Sequence, residues 1–452
     1  MFLSRSLLAG ATAVALVLSP MAARAETLTE ALASAYANNP DITSALLSVK
    51  STAENIALSK SAKLPTIGLG VDYTHSANLA GGEFNSSQSI AVGGTYSHRL
   101  FDNFQSDAEI EQARALTEVS AQALRNAEQN VLLSVVEAYM SVVRDTQLVQ
   151  LRQESVEFFR AQVKSTQDRL EIGEGTRIDV SLAEARLAQG VASYTAAVTS
   201  LQSSRASYER WVGHGPKNLN QNFRFGAMLP KSLDEALAIG DAQHPAILTA
   251  YAQVRAAQAG TDAARAAFGP TLDLIGNIGA TSTFGNGQSS TVPAGSVRLS
   301  LSIPIYAGGA LGASVRRANL DQIRSEVDAQ SARNQVREAI ITSWATMQNA
   351  TAQIESAQSA VQSGQLVLEG IIQERDVGQR TTLDVLNSQA ELTTAREALI
   401  SASASRIIAS FTLVAAVGRL SAQDLGLPVE IKSADGYIAK VEDVWQELRS
   451  LD

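Results

Sequence analysis

The chain has 452 residues, no cysteine, and 36 basic against 45 acidic side chains, a formal net charge of −9. Without cysteine it forms no disulfide, has no thiolate metal ligand and carries no lipid on a cysteine. The acidic balance argues against nucleic acid as a partner.

The first 25 residues have the pattern of a secretory signal. Arg5 supplies the positive start, an apolar run extends from Leu7 to Leu18, and Ala23-Arg24-Ala25 is an A-x-A cleavage site. The apolar run is too short to span a membrane comfortably. We therefore expect a mature chain that begins at Glu26, with 34 basic and 45 acidic residues and a net charge of −11. No later stretch is predicted to form a transmembrane helix.

Two helices and a β-hairpin are predicted next. Thr27 and Glu30 form a capping box before a helix from Leu28 to about Ala37, and Pro40 opens a second helix that extends to about Lys63. From Thr66 the apolar period changes to two, which predicts two strands of about ten residues around a Gly/Ser/Asn-rich loop at 77–88. One strand face is apolar and the other small or polar, as in membrane β-strands. A surface hairpin of a soluble domain has the same alternation, so that interpretation stays open.

A very long helix should follow the hairpin. No proline or glycine occurs between Phe104 and Glu171, a span of roughly 100 Å at about 1.5 Å per residue. Its apolar residues recur at alternating spacings of three and four, which indicates coiled-coil packing. A Gly-containing turn and a returning helix from about Ile178 to Trp211 come next.

The second half repeats the first at an offset of 205 residues, which relates Gly173 to Gly378 and Pro40 to Pro245. A period this long predicts two large tandem repeats rather than a solenoid. The second repeat should contain a long helix from about Gly309 to Asp376 and a returning helix from about Leu383 to Val417.

The predicted organisation is a signal peptide at 1–25, repeat 1 at 26–212 (hairpin 66–100, turn 172–178), an equatorial linker at 213–231, repeat 2 at 232–418 (hairpin 271–305, turn 377–382), and a C-terminal equatorial segment at 419–452. The last segment should end in an amphipathic helix with Val441, Val444, Trp445 and Leu448 on its apolar face. Both equatorial segments should lie at the waist, the level at which the chain passes from one repeat to the other.

Four strands cannot close a membrane barrel, and an open sheet edge in lipid leaves backbone groups unpaired at a cost of several kcal/mol each. Either the strands lie outside a membrane, or several chains share one barrel; three chains would supply twelve strands. The predicted fold class is an α+β membrane protein, a trimeric 12-stranded transmembrane β-barrel continued by a long α-helical coiled-coil barrel. Four residues of the last strand should then face lipid: Val297, Leu299, Leu301 and Ile303.

Four segments resemble the TolC family of outer-membrane efflux proteins, in the same order and across nearly the whole mature chain. They are LPTIGLGVDYTHS at 64–76, IGEGTRIDVSLAE at 172–184, LSLSIPIYAGG at 299–309 and VGQRTTLDVLNSQ at 377–389. The resemblance implies a homotrimer in the outer membrane of a Gram-negative bacterium, with its helical part in the periplasm. It also implies an exit duct that serves a periplasmic adaptor (membrane fusion) protein and an inner-membrane pump of the RND or ABC type. A trimeric coiled-coil adhesin or envelope spacer is the competing interpretation, which the two matched turns disfavour.

The resemblance also assigns candidate gate residues at the second turn. Asp384 matches an acidic position that rings the periplasmic entrance, Arg380 matches a basic link residue, and Asn387 replaces a second acid. Asp179 matches the link acid of the first turn, and Arg375 stands where the family has tyrosine. By spacing alone, Asp384 and Asp179 could instead favour a helix N-terminus. The resemblance further implies adaptor docking at the two turns, through Gly173, Gly175, Thr176, Gly378, Gln379 and Thr381.

The residue pattern predicts no enzyme, no cofactor and no metal site. The four histidines are scattered without an HExxH pair, and no glycine run completes a phosphate-binding motif.

Overall fold

The structure is a computed structural model that describes residues 25–80, 83–220, 229–285 and 288–442, without the side chains of residues 80 and 83–85. The predicted signal peptide, apart from Ala25, lies outside these residues. So do Val444, Trp445 and Leu448 of the predicted C-terminal helix.

The described helices and strands form two matching series. The first is α1 (Leu28–Asn38), α2 (Pro40–Ser61), β1 (Thr66–Ala80), β2 (Glu83–Phe101), α3 (Gln105–Glu171) and α4 (Arg177–Val212). The second is α5 (Leu233–Gln243), α6 (Pro245–Ala266), β3 (Thr271–Gly285), β4 (Gln288–Ser302), α7 (Ala310–Asp376) and α8 (Thr382–Ala416), after which α9 (Asp435–Glu442) follows. Helices α3 and α7 both have 67 residues, and α2 and α6 both have 22. The matching order and lengths confirm the predicted duplication.

The helix ends use the residues that the sequence indicated. Thr27 caps α1 in a capping box, and Pro40 and Pro245 occupy the first turns of α2 and α6. Gly213 and Gly418 follow α4 and α8 with φ of +93° and +84°, a left-handed conformation that glycine adopts without steric cost.

The first hairpin is longer than predicted, so the predicted loop at 77–88 is wrong. Strands β1 and β2 have 15 and 19 residues, and their pairing continues to Ala80 opposite Glu83. Strand pairing satisfies backbone groups whatever the side chains, so a Ser/Asn-rich stretch extends the ladder when its partner does. In the second hairpin β4 ends at Ser302, before Pro304, which cannot donate a backbone hydrogen bond. Ile303 therefore lies beyond the strand.

The four strands form one antiparallel sheet in the order β1-β2-β3-β4, which leaves β1 and β4 with one open edge each. The register places most of the apolar residues of all four strands on the same face; for example, Val71 lies opposite Val92, and Leu274 lies opposite Leu299. Nothing in the described part of the chain covers this apolar face, since Leu69 is 90% exposed and Val297 is 82% exposed. The other face carries small and polar residues, with Ile275 and Val292 as exceptions.

The helices pack as two antiparallel hairpins, α3 with α4 and α7 with α8, and α6 lies between α3 and α7. Helix α2 packs along α3, and α4 ends against the α1–α2 turn. There Asn39 Nδ2 donates to the Trp211 carbonyl at 3.4 Å, and Ser34 Oγ donates to the Val212 carbonyl at 3.2 Å. Helices α2 and α4 therefore follow one another end to end along α3.

Helix α8 corrects the expectation that no later stretch could cross a membrane. By length and composition Thr382–Ala416 is long and apolar enough to do so. In the fold its apolar residues are instead used for packing within the helical bundle, since a run of them is buried there: Val385, Leu386, Leu392, Phe411, Leu413 and Val414. Core helices and membrane spans share this composition, which explains why the sequence alone does not separate them.

The main apolar core lies at the waist. Its largest buried side chains include Tyr36, Tyr139, Tyr208 and Phe411. The Tyr139 hydroxyl donates to the Glu26 carbonyl at 2.8 Å, and the Tyr208 hydroxyl donates to Glu26 Oε1 at 2.7 Å. Glu26 also forms a parallel bridge with Leu219. Leu219, in the described part of the linker, thus packs at this core.

The C-terminal helix α9 is held against α2 and α3 by an ionic cluster. Arg114 Nε and Nη2 each donate to one carboxylate oxygen of Glu442 at 2.9 Å, and Lys60 binds the same carboxylate. The Arg114 hydrogen bonds, with those from Lys60, hold the pKa of Glu442 at about 2 against the ordinary 4.5. Val441 packs beside them against Ile56 and Ala113.

This cluster predicts acid release of α9. A carboxylate whose pKa is lowered in the folded state stabilises that state fully above pH 4.5, and the contribution disappears as pH falls towards 2. Backbone protection of residues 435–442, measured by hydrogen exchange and corrected for intrinsic rates, should therefore fall several-fold between about pH 7 and about pH 3. Glu442→Gln should show weak protection at both values. Wild-type protection that stays unchanged at low pH would contradict the prediction.

Candidate gate at the helical tip

The two Gly-containing turns lie side by side at the end of the bundle remote from the sheet. Each long helix starts just after a hairpin and ends 67 residues later at a turn, roughly 100 Å away. Residues of both turns line one shared groove: Thr166, Arg169, Glu174, Gly175, Asp179, Arg375, Arg380, Thr381 and Thr382. Of the candidate residues, the groove brings together Gly175 and Asp179 of the first turn with Arg375, Arg380 and Thr381 of the second, while Asp384 and Asn387 do not line it.

The two turns have the same backbone hydrogen bonding. Gly173 and Gly378 have φ of +80° and +81°. In the first turn the Glu174 N–H donates to the Arg169 carbonyl, and in the second the Gln379 N–H donates to the Glu374 carbonyl, both at 2.8 Å. This is the Schellman arrangement that ends a helix at a left-handed glycine. Gly175 differs, because its φ is not positive and an added Cβ would lie 3.1 Å from the Leu170 backbone nitrogen.

Asp179 and Asp384 occupy equivalent capping boxes at the starts of α4 and α8. The Thr381 N–H donates to Asp384 Oδ2 at 2.9 Å, and the Asp384 N–H donates to Thr381 Oγ1 at 3.2 Å. Thr176 and Asp179 repeat both bonds at 3.1 and 3.2 Å. The Thr381 backbone and hydroxyl hydrogen bonds, with nearby Arg380, lower the pKa of Asp384 and keep it charged. Helix capping is thus a real role of both carboxylates, and a pore role for Asp384 would be additional.

Arg380 is paired within its own turn. Its Nε donates to Glu374 Oε2 at 2.8 Å, on the last turn of α7. In the described part of the chain it forms no ion pair with Asp179, although both residues line the shared groove. The link between Arg380 and Asp179 that the resemblance implies is therefore not formed within one chain.

Two side-chain hydrogen bonds join the helical hairpins near the tip. Arg375, whose side chain is 12% exposed, donates from Nη1 to Gln162 Oε1 on α3 at 2.9 Å and also binds Asp376. Arg186 on α4 donates from Nη2 to Asn387 Oδ1 on α8 at 2.8 Å. The Asn387 amide oxygen is therefore directed at α4. Sequence analysis missed Gln162 and Arg186, because both contacts join residues about 200 positions apart and no local motif marks them.

The architecture defines a class of membrane duct: one sheet with an apolar outer face, continued by helices that end in paired tip turns. Among the described residues no group of three or more His, Asp or Glu side chains is arranged to hold a metal ion.

Residues 31–214 and 239–419 match the family described as "Outer membrane efflux protein", and the chain belongs to this family. It is 36% identical to the outer membrane efflux protein BepC of Brucella suis, over 96% of this chain and 95% of that one. It is 24% identical to the outer membrane protein TolC of Escherichia coli, over 89% of this chain and 84% of that one. A solved membrane protein of Pseudomonas aeruginosa superposes with a TM-score of 0.77, at 19% identity over 86% and 90% of the two chains.

Membership places the chain in the outer membrane and confirms the resemblance found in the sequence. The apolar sheet face is therefore the lipid-facing one, and the interpretation of the hairpins as part of a soluble domain is wrong. The family is one of efflux channels.

The turn glycines give the first test of the tip. Replacing Gly378 by Val forces a β-branched residue into φ of +81°, at a cost of roughly 1–2 kcal/mol. No atom lies within 4 Å of the new Cβ position, so backbone strain is the only expected cause. Gly378→Asn should cost less, because Asn tolerates this conformation. The hydrogen-exchange rates of residues 377–384 should be highest in Gly378→Val, lower in Gly378→Asn and lowest in wild type. Equal rates in the two variants would contradict a strain effect.

Proposed function

We propose that three copies of this chain form a passive exit duct across the outer membrane and periplasm. In this proposal the strands of the three chains close one twelve-stranded barrel in the membrane. The paired helical hairpins enclose a tunnel that ends at the tip turns. The observation that carries the proposal is the four-stranded sheet with one lipid-type face and two open edges.

Closure by copies of the chain follows from hydrogen bonding. The outer edges of β1 and β4 carry unpaired backbone groups, each of which costs several kcal/mol in lipid. In a ring of copies, β4 of each chain pairs in the antiparallel sense with β1 of the next chain. Both open edges of every sheet are then hydrogen-bonded. Three copies give twelve strands, within the range of natural outer-membrane barrels.

The tip turns are the proposed docking surface for a periplasmic adaptor protein. Each turn exposes apolar residues beside its glycine: Ile172 and Val377 are both 70% exposed, and Ile178 is 71% exposed. Exposed apolar residues rimmed by polar ones are typical of interaction sites. Through the adaptor, an inner-membrane pump of the RND or ABC type would deliver cargo to the duct.

The proposed cargo is small molecules in an efflux pump, the role that the word efflux in the name of the relative BepC is compatible with, or proteins in a type I secretion system. An adhesin or spacer remains the alternative class of function, and it requires no open lumen. Purified wild-type protein in planar bilayers should show single-channel conductance if it is a duct.

The proposed gate is a ring of three Asp384 carboxylates. Three-fold symmetry brings identical residues together, and a charged Asp384 on each copy would favour cations at the entrance and bind multivalent cations. Arg380 lies close enough to lower the pKa of Asp384 and offsets part of the repulsion. Because Asn387 is neutral and binds Arg186, it adds no second charged ring.

The two equivalent capping boxes provide a matched test of this gate. Asp384→Ala and Asp179→Ala remove the same hydrogen bonds at the starts of α8 and α4. If Asp384 lines the pore, only Asp384→Ala should reduce cation selectivity and relieve trivalent-cation block, measured as reversal potential and conductance in planar bilayers. Equal small effects of both variants would show that Asp384 acts only as a helix cap.

The sheet faces give a second matched test. Val297 lies on the apolar face near the middle of β4, and Ser296 beside it lies on the polar face. Val297→Arg should destabilise the barrel by about 2–4 kcal/mol, as a cation does at the bilayer midplane. Ser296→Arg should be tolerated and should instead alter conductance. The measurement is the amount of folded, heat-resistant protein in outer membranes for each variant. A Val297→Arg variant as stable as Ser296→Arg would place this face away from lipid.

A further inference from the structure

The polar face of the sheet carries four formally charged residues among its described side chains, one on each strand. They are Asp72 on β1, Arg99 on β2, Asp273 on β3 and Arg298 on β4. Arg99 lies opposite Asp273 in the register, and its Nε is 3.2 Å from the Asp273 carboxylate. The two inner strands therefore neutralise each other.

The two edge strands keep one charge each, of opposite sign. Asp72 is the only Asp, Glu, Lys or Arg of β1, and Arg298 is the only one of β4. Both side chains are exposed, and neither forms an ion pair among the residues that the structure describes. Their strands bear the two open edges of the sheet.

Asp72 and Arg298 cannot meet within one chain. Following the register across the sheet, Arg298 lies in line with Ile275, Ser97 and Thr66. Asp72 is six residues along β1 from Thr66, about 20 Å, and β1 is three strand spacings from β4, about 14 Å. Since no described residue of the same chain pairs with either charge, a partner would come from another molecule.

Barrel closure supplies that partner. Strands of outer-membrane barrels tilt by about 35–45°. The rise is about 3.3 Å per residue and the strand spacing about 4.8 Å. A path that follows the hydrogen bonds once around a twelve-stranded barrel therefore returns to its first strand about 12–17 residues further along, an offset of about four to six residues per chain. The offset must be even, because an odd one would turn the apolar face of the next chain inward.

An offset of six places Arg298 directly opposite Asp72 of the partner subunit, and an offset of four places it one diagonal step away. Both positions lie within reach of an arginine side chain. An offset in the opposite direction would align Arg298 with α2, below the start of β1, and would leave few strand residues to pair. Charge and register thus agree on the same junction.

We infer that Arg298 forms an ion pair with Asp72 of the partner subunit at each junction of the barrel, and that this pair sets the register in which the chains close. The inference rests on the proposed trimer. Small and glycine residues dominate the polar face of these strands, and such strands specify their register weakly. The ion pair opposes slippage and leaves the lumen wall without an uncompensated charge at that level.

Cysteine crosslinking tests the register directly, because the chain has no cysteine of its own. Thr74→Cys with Ser296→Cys should give crosslinked dimers and trimers, since these positions lie opposite or diagonal under the inferred register. The matched pair Gly68→Cys with Ser296→Cys should not crosslink. Crosslinking through position 68 alone would align Arg298 with Thr66 of the partner subunit and overturn the inference.

Charge reversal tests the pair itself. Asp72→Arg and Arg298→Asp should each lower several-fold the fraction of SDS-resistant trimer that survives mild heating, and the double exchange should restore it. Asp72→Arg with Arg316→Asp, on the exposed start of α7, has the same net charge and should not restore it. If wild type forms no trimer, the proposed function fails; if wild type is trimeric but the single reversals match its stability, only the ion pair is wrong.

Discussion

The structure depends on one constraint: a β-sheet edge cannot face lipid with its backbone groups unpaired. The chain builds a single four-stranded sheet whose apolar face is uncovered and whose edges are both open. Each edge is the complement of the other, so copies of the same chain can close the sheet into a ring. The strand count, the exposed apolar face and the opposite charges on the two edge strands all follow from this shared closure.

The duplication of the chain also determines the arrangement of the helical end. Each repeat contributes one hairpin of strands and one hairpin of helices, so that each chain has two tip turns. The two turns share a glycine conformation and a capping box, yet they differ where function is expected. Gly175 of the first turn corresponds to Arg380 of the second, and only Arg380 forms an ion pair, with Glu374. Equivalent backbones with different side chains let the fold stay constant while the second turn acquires the proposed gate.

Much of the fold was predictable because its signals are local and occur twice. Pro40, Gly173 and the absence of breakers between Phe104 and Glu171 mark helix ends and lengths by backbone chemistry alone. The loop at 77–88 was mispredicted, because pairing with a partner strand outweighs the turn preference of Ser and Asn. At the site, the turns and the places of Asp179 and Asp384 at helix N-termini followed from sequence, whereas the capping-box bonds and the contacts Gln162–Arg375 and Arg186–Asn387 did not. Those contacts depend on how two helical hairpins pack, which spacing along the chain does not encode.

Two measurements on the intact detergent-extracted particle together test the closure most directly. Native mass spectrometry counts its chains, and hydrogen exchange measures the protection of its strand amides. The account predicts a particle of three chains in which the outer-edge amides of β1 and β4 are as protected as the amides between β2 and β3. A monomer with protected strands, or a trimer whose β1 and β4 edge amides exchange freely, would contradict it.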